Sequence, residues 1–552
     1  MHFPLQTDRR TMLKMGALAI GAPALIGLRD ESASQTAIVE TRYGKLRGEQ
    51  ARGAVSFRGI AYAADTSGPN RFMPPRPVAP WAGVRDALAY GDRCIQAGRF
   101  GQPPRQRGEA RPQSENCCVL NVYTPDLNPG AKRPVMFWMH GGGFRSGAGD
   151  APELDGVNLA KAGDVVVVTI NHRLNLFGYL TLGHLDPDFA DAGNVGQLDL
   201  VAALQWVRDN IAAFGGDPGN VTIFGQSGGG SKVATLMIMP SARGLFHRAI
   251  NLSGPTFYTM DPAANWEPLS NAFVRELGVG KGDIRRLQQL PPQQLLAAHG
   301  AAVRALKTDD FRPVIDGRII PHGPLTQAGL TLNGDVPLMM GTTDTEATLW
   351  LRNEPANATV TDAQVRSRFM QQFGMDDAQA AALIAGYRQD PQNHTPWDIL
   401  ASLSSDTMFR GRMLLAAEAL ANARTLPVYL YNFCWRIPTD GGVWGAPHAV
   451  DIPFAFGNVE ALVDRLGGGV PPIDASKNVM AAFLAFARTG NPNNDRMPKW
   501  DPYDGKRRAT MTVNTQCAQV DDYRGHGRVA SLGLLKQDAY ELETGTLFHY
   551  VA

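Results

Sequence analysis

Two apolar runs dominate the hydrophobic pattern of the first half of the chain. Residues 134–139, Pro-Val-Met-Phe-Trp-Met, and residues 164–170, Asp-Val-Val-Val-Val-Thr-Ile, contain almost no polar position. Runs this short and this apolar predict strands buried on both faces, as in a parallel sheet. A third run, Val221-Thr222-Ile223-Phe224, leads into Gly225-Gln226-Ser227-Gly228-Gly229 and then into a segment able to form a helix. Between the second and third runs, residues 200–214 read as an amphipathic helix, closed by Gly215-Gly216-Asp217-Pro218. Further strands are expected at 249–253, 337–341 and 427–433, and a late one near 508–515 is expected to end the sheet. Residues 264–310, 361–425 and 476–488 read as helical. At the front, residues 37–62 suit edge hairpins turning at Gly44, followed by a proline-rich surface coil at 74–80. This rhythm predicts an α/β fold. Its central sheet is large, mixed and mostly parallel, with helices on both faces and helical insertions.

Length and composition narrow the picture. A chain of 552 residues exceeds the usual single-core size, yet no repeat or low-complexity tract suggests a cut. Residues 37–552 are therefore expected to form one large domain. A formal charge of +1 supplies no broad basic field, so nucleic acid is not an expected partner. Residues 1–36 read differently. Arg9-Arg10 precede a modest apolar run, residues 15–28, which is short for a membrane span and interrupted by glycines and Pro23. This pattern is that of a twin-arginine export signal, and it predicts a periplasmic or secreted protein with no stable membrane insertion after export.

The five cysteines offer no zinc pattern, and neither a metal nor an organic cofactor is expected. In an oxidising compartment Cys94 and Cys117 suit a clip closing a loop of about two dozen residues, with roughly 3 kcal/mol of chain-entropy stabilisation. Cys118 is the alternative partner, although its strand-like run points it toward the core. Cys434 and Cys517 read as buried thiols.

The candidate chemistry centres on residues 225–229. A sharp strand-to-helix turn with glycines around it would put Ser227 at its apex, with its hydroxyl exposed above the sheet edge. The helix after it would aim its N-terminal dipole and free amides at that hydroxyl. A serine needs a base, and the base needs an acid to orient it. Glu346, just after a predicted strand, suits the acid, with Asp344 as its rival two residues away. His448, in the turn Gly445-Ala446-Pro447-His448, suits the base. Among eleven histidines, His140 is the other tempting choice, but it precedes Gly141-Gly142-Gly143 and is better placed to brace that loop. The glycine run suits a pocket of main-chain donors, with the amides of Gly142, Gly143 and Gly228 aimed at a tetrahedral oxyanion.

Several longer stretches carry a likeness. Phe57-Arg58-Gly59-Ile60 with Tyr62 and Arg71-Phe72, then Ser114-Glu115-Asn116-Cys117 through Leu120-Asn121-Val122-Tyr123, and then Asn210 through Gly215-Gly216-Asp217-Pro218 to Gly225, resemble signatures of the type-B carboxylesterase family. That family includes the cholinesterases and bacterial para-nitrobenzyl esterases. The resemblance runs from about residue 37 to 515. It implies an α/β-hydrolase fold with a gorge above the sheet and a serine carboxylic-ester hydrolase working through an acyl-enzyme. It implies a Ser227–Glu346–His448 triad, donors at Gly142, Gly143 and Gly228, a Cys94–Cys117 disulfide, a small-molecule ester as substrate, and a monomer or dimer. The chain departs from the family where Gln226-Ser227-Gly228 replaces glutamate, serine and alanine, and where Thr345-Glu346-Ala347 replaces Asp-Glu-Gly. The loop between Cys94 and Cys117 has no tryptophan, only Phe100, which argues against a choline substrate. Amide, carbamate or lactone cleavage by the same triad is the alternative chemistry. A non-catalytic binding module on this fold is the alternative from another class.

Overall fold

The computed structural model describes residues 35–96, 111–255, 260–308, 311–332 and 336–544, with side chains as far as 534. The expected export segment lies outside the described residues except for its last two positions, which begin the first strand, and Phe100 lies outside them too.

Fifteen strands are described. They are β1 (Gln35–Thr41), β2 (Gly44–Ala51), β3 (Ala54–Ala61), β4 (Val84–Asp86), β5 (Arg93–Cys94), β6 (Gln113–Ser114), β7 (Val119–Thr124) and β8 (Arg133–Met139). After them come β9 (Val166–Ile170), β10 (Gly216–Gln226), β11 (Arg248–Leu252), β12 (Leu338–Thr343), β13 (Val428–Phe433), β14 (Thr510–Val513) and β15 (Ala518–Val520). Thirteen build one sheet in the order β1-β2-β3-β7-β9-β8-β10-β11-β12-β13-β14-β15, with β4 beside β2. Every pairing from β9 through β14 is parallel. The hairpin strands at the front and β15 at the far edge pair antiparallel.

The side-chain period of two divides the apolar strands between two cores. Val135, Phe137, Met139, Val221 and Ile223 point to one face, where Leu200, Leu204 and Val207 of helix Val195–Asn210 cover them. Met136, Trp138 and Phe224 point to the other, against Phe456 and helix Ile473–Thr489. On that second face Trp138 meets Phe224 and Phe456 edge-on, at 4.8 and 5.0 Å between ring centroids. Such pairs add directional stabilisation to the burial itself.

Three expectations about elements are corrected. Gly216, Asp217 and Pro218 belong to β10, because the preceding helix closes one residue earlier at Gly215 in the left-handed conformation, φ 83°. The sheet does not end at residues 508–515, since β15 adds a further strand and helix Gly525–Thr544 follows. Cys434 and Cys517 are half-buried rather than buried. The helical insertions divide. Helices Glu267–Glu276 and Pro292–Leu306 pack on Phe144, Phe177 and Phe189 in a satellite core, whereas helices Asp362–Phe373, Asp377–Tyr387 and Pro396–Ser405 extend the second main core.

Candidate active site

Parallel pairing brings the C-terminal ends of β8, β10, β11 and β12 to one edge of the sheet, where binding crevices of open α/β sheets form. The residues that follow these strands are His140, Ser227, Ser253 and, three positions beyond β12, Glu346. Ser227 occupies the sharp turn between β10 and helix Gly228–Leu236. Its φ of 58° and ψ of −124° are rare for a residue with a side chain. Its amide donates to the Leu252 carbonyl at 2.8 Å, which ties the turn to β11. The glycines around it are required by space. A Cβ on Gly225 would stand 2.6 Å from the Met139 carbonyl oxygen, and one on Gly229 would lie 2.9 Å from Met139 C.

Glu346 and His448 meet. The Glu346 carboxylate is fully buried and accepts a very short hydrogen bond from His448 Nδ1–H. Its other oxygen accepts from Ser253 Oγ at 2.5 Å and from the Thr343 amide at 2.8 Å. The His448 main-chain N–H donates to the Glu346 carbonyl at 3.1 Å, and strained Ala449, φ 69°, turns the chain behind it. Asp344 is engaged elsewhere. It accepts from Asn432 and Tyr523 and faces Arg524. With Nδ1–H given to Glu346, the lone pair of His448 is on Nε2, and the Gln226 side-chain nitrogen lies beside the ring, 3.2 Å from Nε2 and 3.4 Å from Nδ1. Gln226 precedes Ser227, so the serine adjoins the pair. No hydrogen bond joins Ser227 to His448 among those described.

The glycine loop stands against this turn. A Cβ on Gly141 would come 3.3 Å from Ser227 Cβ, and one on Gly228 would lie 2.5 Å from Gly143 Cα. Gly142 and Gly143 have φ of 94° and 62°, open to glycine and strained for other residues. His140 braces the loop through Nδ1–H to the Gly141 carbonyl at 2.8 Å. Burial, then the charges of Lys232 and Arg93, lower its imidazole to about 3 despite that hydrogen bond, so the ring is neutral.

Four further features were not read from the sequence. Lys232, with no exposed surface, donates to the His140 and Gly143 carbonyls at 3.0 Å each, and burial lowers its ammonium to about 7. The signal was present as a single charge immediately before the apolar run 233–239. Asp451 is buried behind Glu346 with both oxygens unpartnered, and burial, then Glu346, raises its carboxyl to about 8. Ser253 supports Glu346 from the end of β11. Phe409 stacks on His448 at 4.5 Å and Trp350, 39% exposed, lies 5.2 Å from the same ring. Phe409 projects from a π-helical turn, Asp406–Arg410, a local irregularity frequent at functional sites. Away from the site, the buried Cys94 and Cys117 pack together with Leu174 as free cysteines in this structure.

Comparison with known proteins agrees with this architecture. Residues 35–531 match the model of the Carboxylesterase family. The chain is 34% identical over 498 residues to the para-nitrobenzyl esterase of Bacillus subtilis, spanning 88% of this chain and 96% of that one. It is equally similar, 34% over 493 residues, to a phenmedipham hydrolase of Pseudarthrobacter oxydans, with 88% and 96% covered. Among solved structures, a Geobacillus stearothermophilus carboxylesterase superposes with a TM-score of 0.77 at 35% identity, covering 89% of this chain and 99% of that one. A Clostridium hathewayi esterase that hydrolyses aliphatic aromatic polyesters superposes at 0.75 with 34% identity, covering 91% and 100%. The α/β-hydrolase sheet, the serine at its strand-to-helix turn and these matches along nearly the whole chain make this protein a member of the carboxylesterase family, an ester hydrolase.

Proposed function

We propose that the ester hydrolysis runs through Ser227, His448 and Glu346. Ser227 Oγ attacks the ester carbonyl carbon, and His448 Nε2 accepts the hydroxyl proton. Glu346 stabilises the resulting imidazolium through Nδ1–H. The amides of Gly142, Gly143 and Gly228 hold the oxyanion. Collapse of the tetrahedral intermediate expels the alkoxide, which takes the proton from His448. Water, deprotonated by His448, then releases the acid.

The observation that carries this reading is the buried Glu346–His448 pair in contact with Gln226, the neighbour of the strained serine, which itself stands against the glycine loop. Trp350 and Phe409, set against the His448 ring, give the site an apolar aromatic wall, which supports short acyl aryl esters as substrates. The protein acts after twin-arginine export, in the periplasm or outside the cell, as a monomer or dimer. There Cys94 and Cys117, already packed together, close their disulfide. Among the described residues no helix is long and apolar enough to cross a membrane.

The test is Ser227→Ala with aryl acetates and butyrates as substrates, alongside labelling of the wild type by an aryl phosphonate. Loss of the pre-steady-state burst and of turnover, with stoichiometric phosphonate on Ser227, is expected. A folded variant that kept burst and turnover would remove Ser227 from the mechanism.

A further inference from the structure

In a trans peptide the carbonyl of one residue and the amide of the next point in opposite directions. Fixing the carbonyls of the glycine loop therefore fixes its amides. All four are held. The Gly141 carbonyl accepts from His140 Nδ1–H at 2.8 Å, which directs the Gly142 amide the other way. The Gly142 carbonyl accepts from the amides of Ser146 and Arg145 at 3.1 and 3.3 Å, which directs the Gly143 amide. The first and last carbonyls of the run, those of His140 and Gly143, both go to Lys232 Nζ at 3.0 Å. One amine thus spans the loop from end to end.

The lysine is also built into the element that carries the nucleophile. Lys232 is in helix Gly228–Leu236, whose N-cap is Ser227. The helix is rigid, so the loop is fixed relative to the serine by covalent structure plus two hydrogen bonds. The amine lies over the Phe144 ring, 5.3 Å from its centroid, immediately after the loop. The titratable groups nearby are His140 and His172, whose buried rings stack at 5.1 Å, and beyond them Arg93 and Arg173. Burying a lysine is unfavourable unless its donors are satisfied. The catalytic steps above leave this one unused.

We propose that Lys232 is the positioning residue of the oxyanion loop: by tethering the His140 and Gly143 carbonyls, the two ends of the loop, to the nucleophile's helix, it holds the Gly142 and Gly143 amides, whose directions the two inner carbonyls set, in register with Ser227. This rests on the reading of those amides as oxyanion donors. Lys232 touches neither substrate nor the reacting atoms, so its effect is confined to the transition state. Ground-state binding of the ester, which does not need the loop in register, is left nearly intact.

The experiment compares wild type, Lys232→Met and Lys232→Gln, each checked for folding by near-ultraviolet circular dichroism and thermal melting. Steady-state constants are measured with an aryl butyrate. Affinity is measured for an alkyl trifluoromethyl ketone, whose adduct with a serine carries an oxyanion, and for the matching methyl ketone. Misplacing the donors by about 1 Å predicts a loss of roughly 10²-fold in kcat for Lys232→Met with KM little changed. The preference for the trifluoromethyl ketone should shrink by a similar factor. Lys232→Gln retains two N–H donors on a shorter side chain and should recover part of the loss. It also serves as the test variant if the methionine protein does not fold. A folded variant with wild-type kcat and undiminished ketone preference would overturn the role of Lys232, and so would a defect confined to KM. If the wild type itself showed no preference between the two ketones, the oxyanion reading would fail first, independently of Lys232.

Discussion

Gly228 offers the sharpest test of how nucleophile and loop fit together. The family usually has alanine here, so Gly228→Ala is a modest change by sequence. In this structure it is not modest. The new Cβ would lie 2.5 Å from both Cα and the carbonyl carbon of Gly143 and would overlap its oxygen, where ordinary contact begins near 3.4 Å. Backbone atoms have no rotamer through which to escape, so something must move by about 1 Å. The helix start is the stiffer partner, because the Ser227 amide is held by Leu252 and Gly229 is pressed against Met139. The loop therefore yields, and the Gly143 amide leaves its place beside Ser227. A 1 Å displacement of a donor is expected to lower kcat by on the order of 10²-fold. At 1.36 kcal/mol per tenfold this is about 3 kcal/mol of transition-state stabilisation. The overpacking itself should destabilise the fold by roughly 1–3 kcal/mol. Stopped-flow and steady-state hydrolysis of aryl butyrates, with a thermal melt, read both effects. A variant with unchanged kcat and melting temperature would show that the loop is not seated on Gly228 during catalysis, and the reasoning would be wrong.

Two further outcomes follow from buried carboxyls. Glu346→Gln keeps the shape but removes the charge that His448, Ser253 and the Thr343 amide converge on, and kcat should fall by roughly 10³–10⁴-fold. Asp344→Asn, two residues away but turned toward Asn432, Tyr523 and Arg524, should leave kcat within a small factor, and equal losses in the two variants would undo the assignment of the acid. Asp451 bears on stability. Its carboxyl stays protonated up to about 8 in the fold, held there by burial and by Glu346, but ionises near 4 when unfolded. Between those values the unfolded chain binds fewer protons, so this residue lowers stability as pH rises. Asn at this position has no proton to lose. The melting advantage of Asp451→Asn over wild type should therefore widen from pH 5 to pH 8, and an advantage independent of pH would refute the argument.

The sheet was legible because its signals are local. Residues 134–139 and 164–170 are apolar on both faces, a pattern that few environments other than a covered parallel sheet accommodate, and both are central strands. The far edge was less legible. β15 is three residues, Ala-Gln-Val, with no apolar alternation, and it pairs because β14 presents an open edge rather than because its own sequence demands a strand. Helix Val195–Asn210 begins before residue 200 because tertiary burial of Val195 and Gln197 extends it beyond the apolar stripe.

The site divides along the same line. Ser227, Glu346 and His448 stand out because each is a reactive residue type beside a turn or strand end, and the order along the chain restricts which can meet. Residues that act by holding others carry no such mark. A glutamine before a serine reads as a neutral replacement for glutamate until its amide is found against the ring of His448. A lysine in a helix normally reads as a solvated charge. Lys232 has no exposed surface only because β8 delivers two carbonyls above that turn of helix, and no periodicity in residues 228–236 encodes where another strand's loop will stop. The strong hint was chemical rather than periodic. An ammonium followed by ten residues without a charge must find acceptors, and where no acid is near, main-chain oxygens are what remain. A buried lysine at a helix start in a chain of this fold is thus a pointer to a loop whose carbonyls are turned inward, and so to one whose amides face out toward the chemistry.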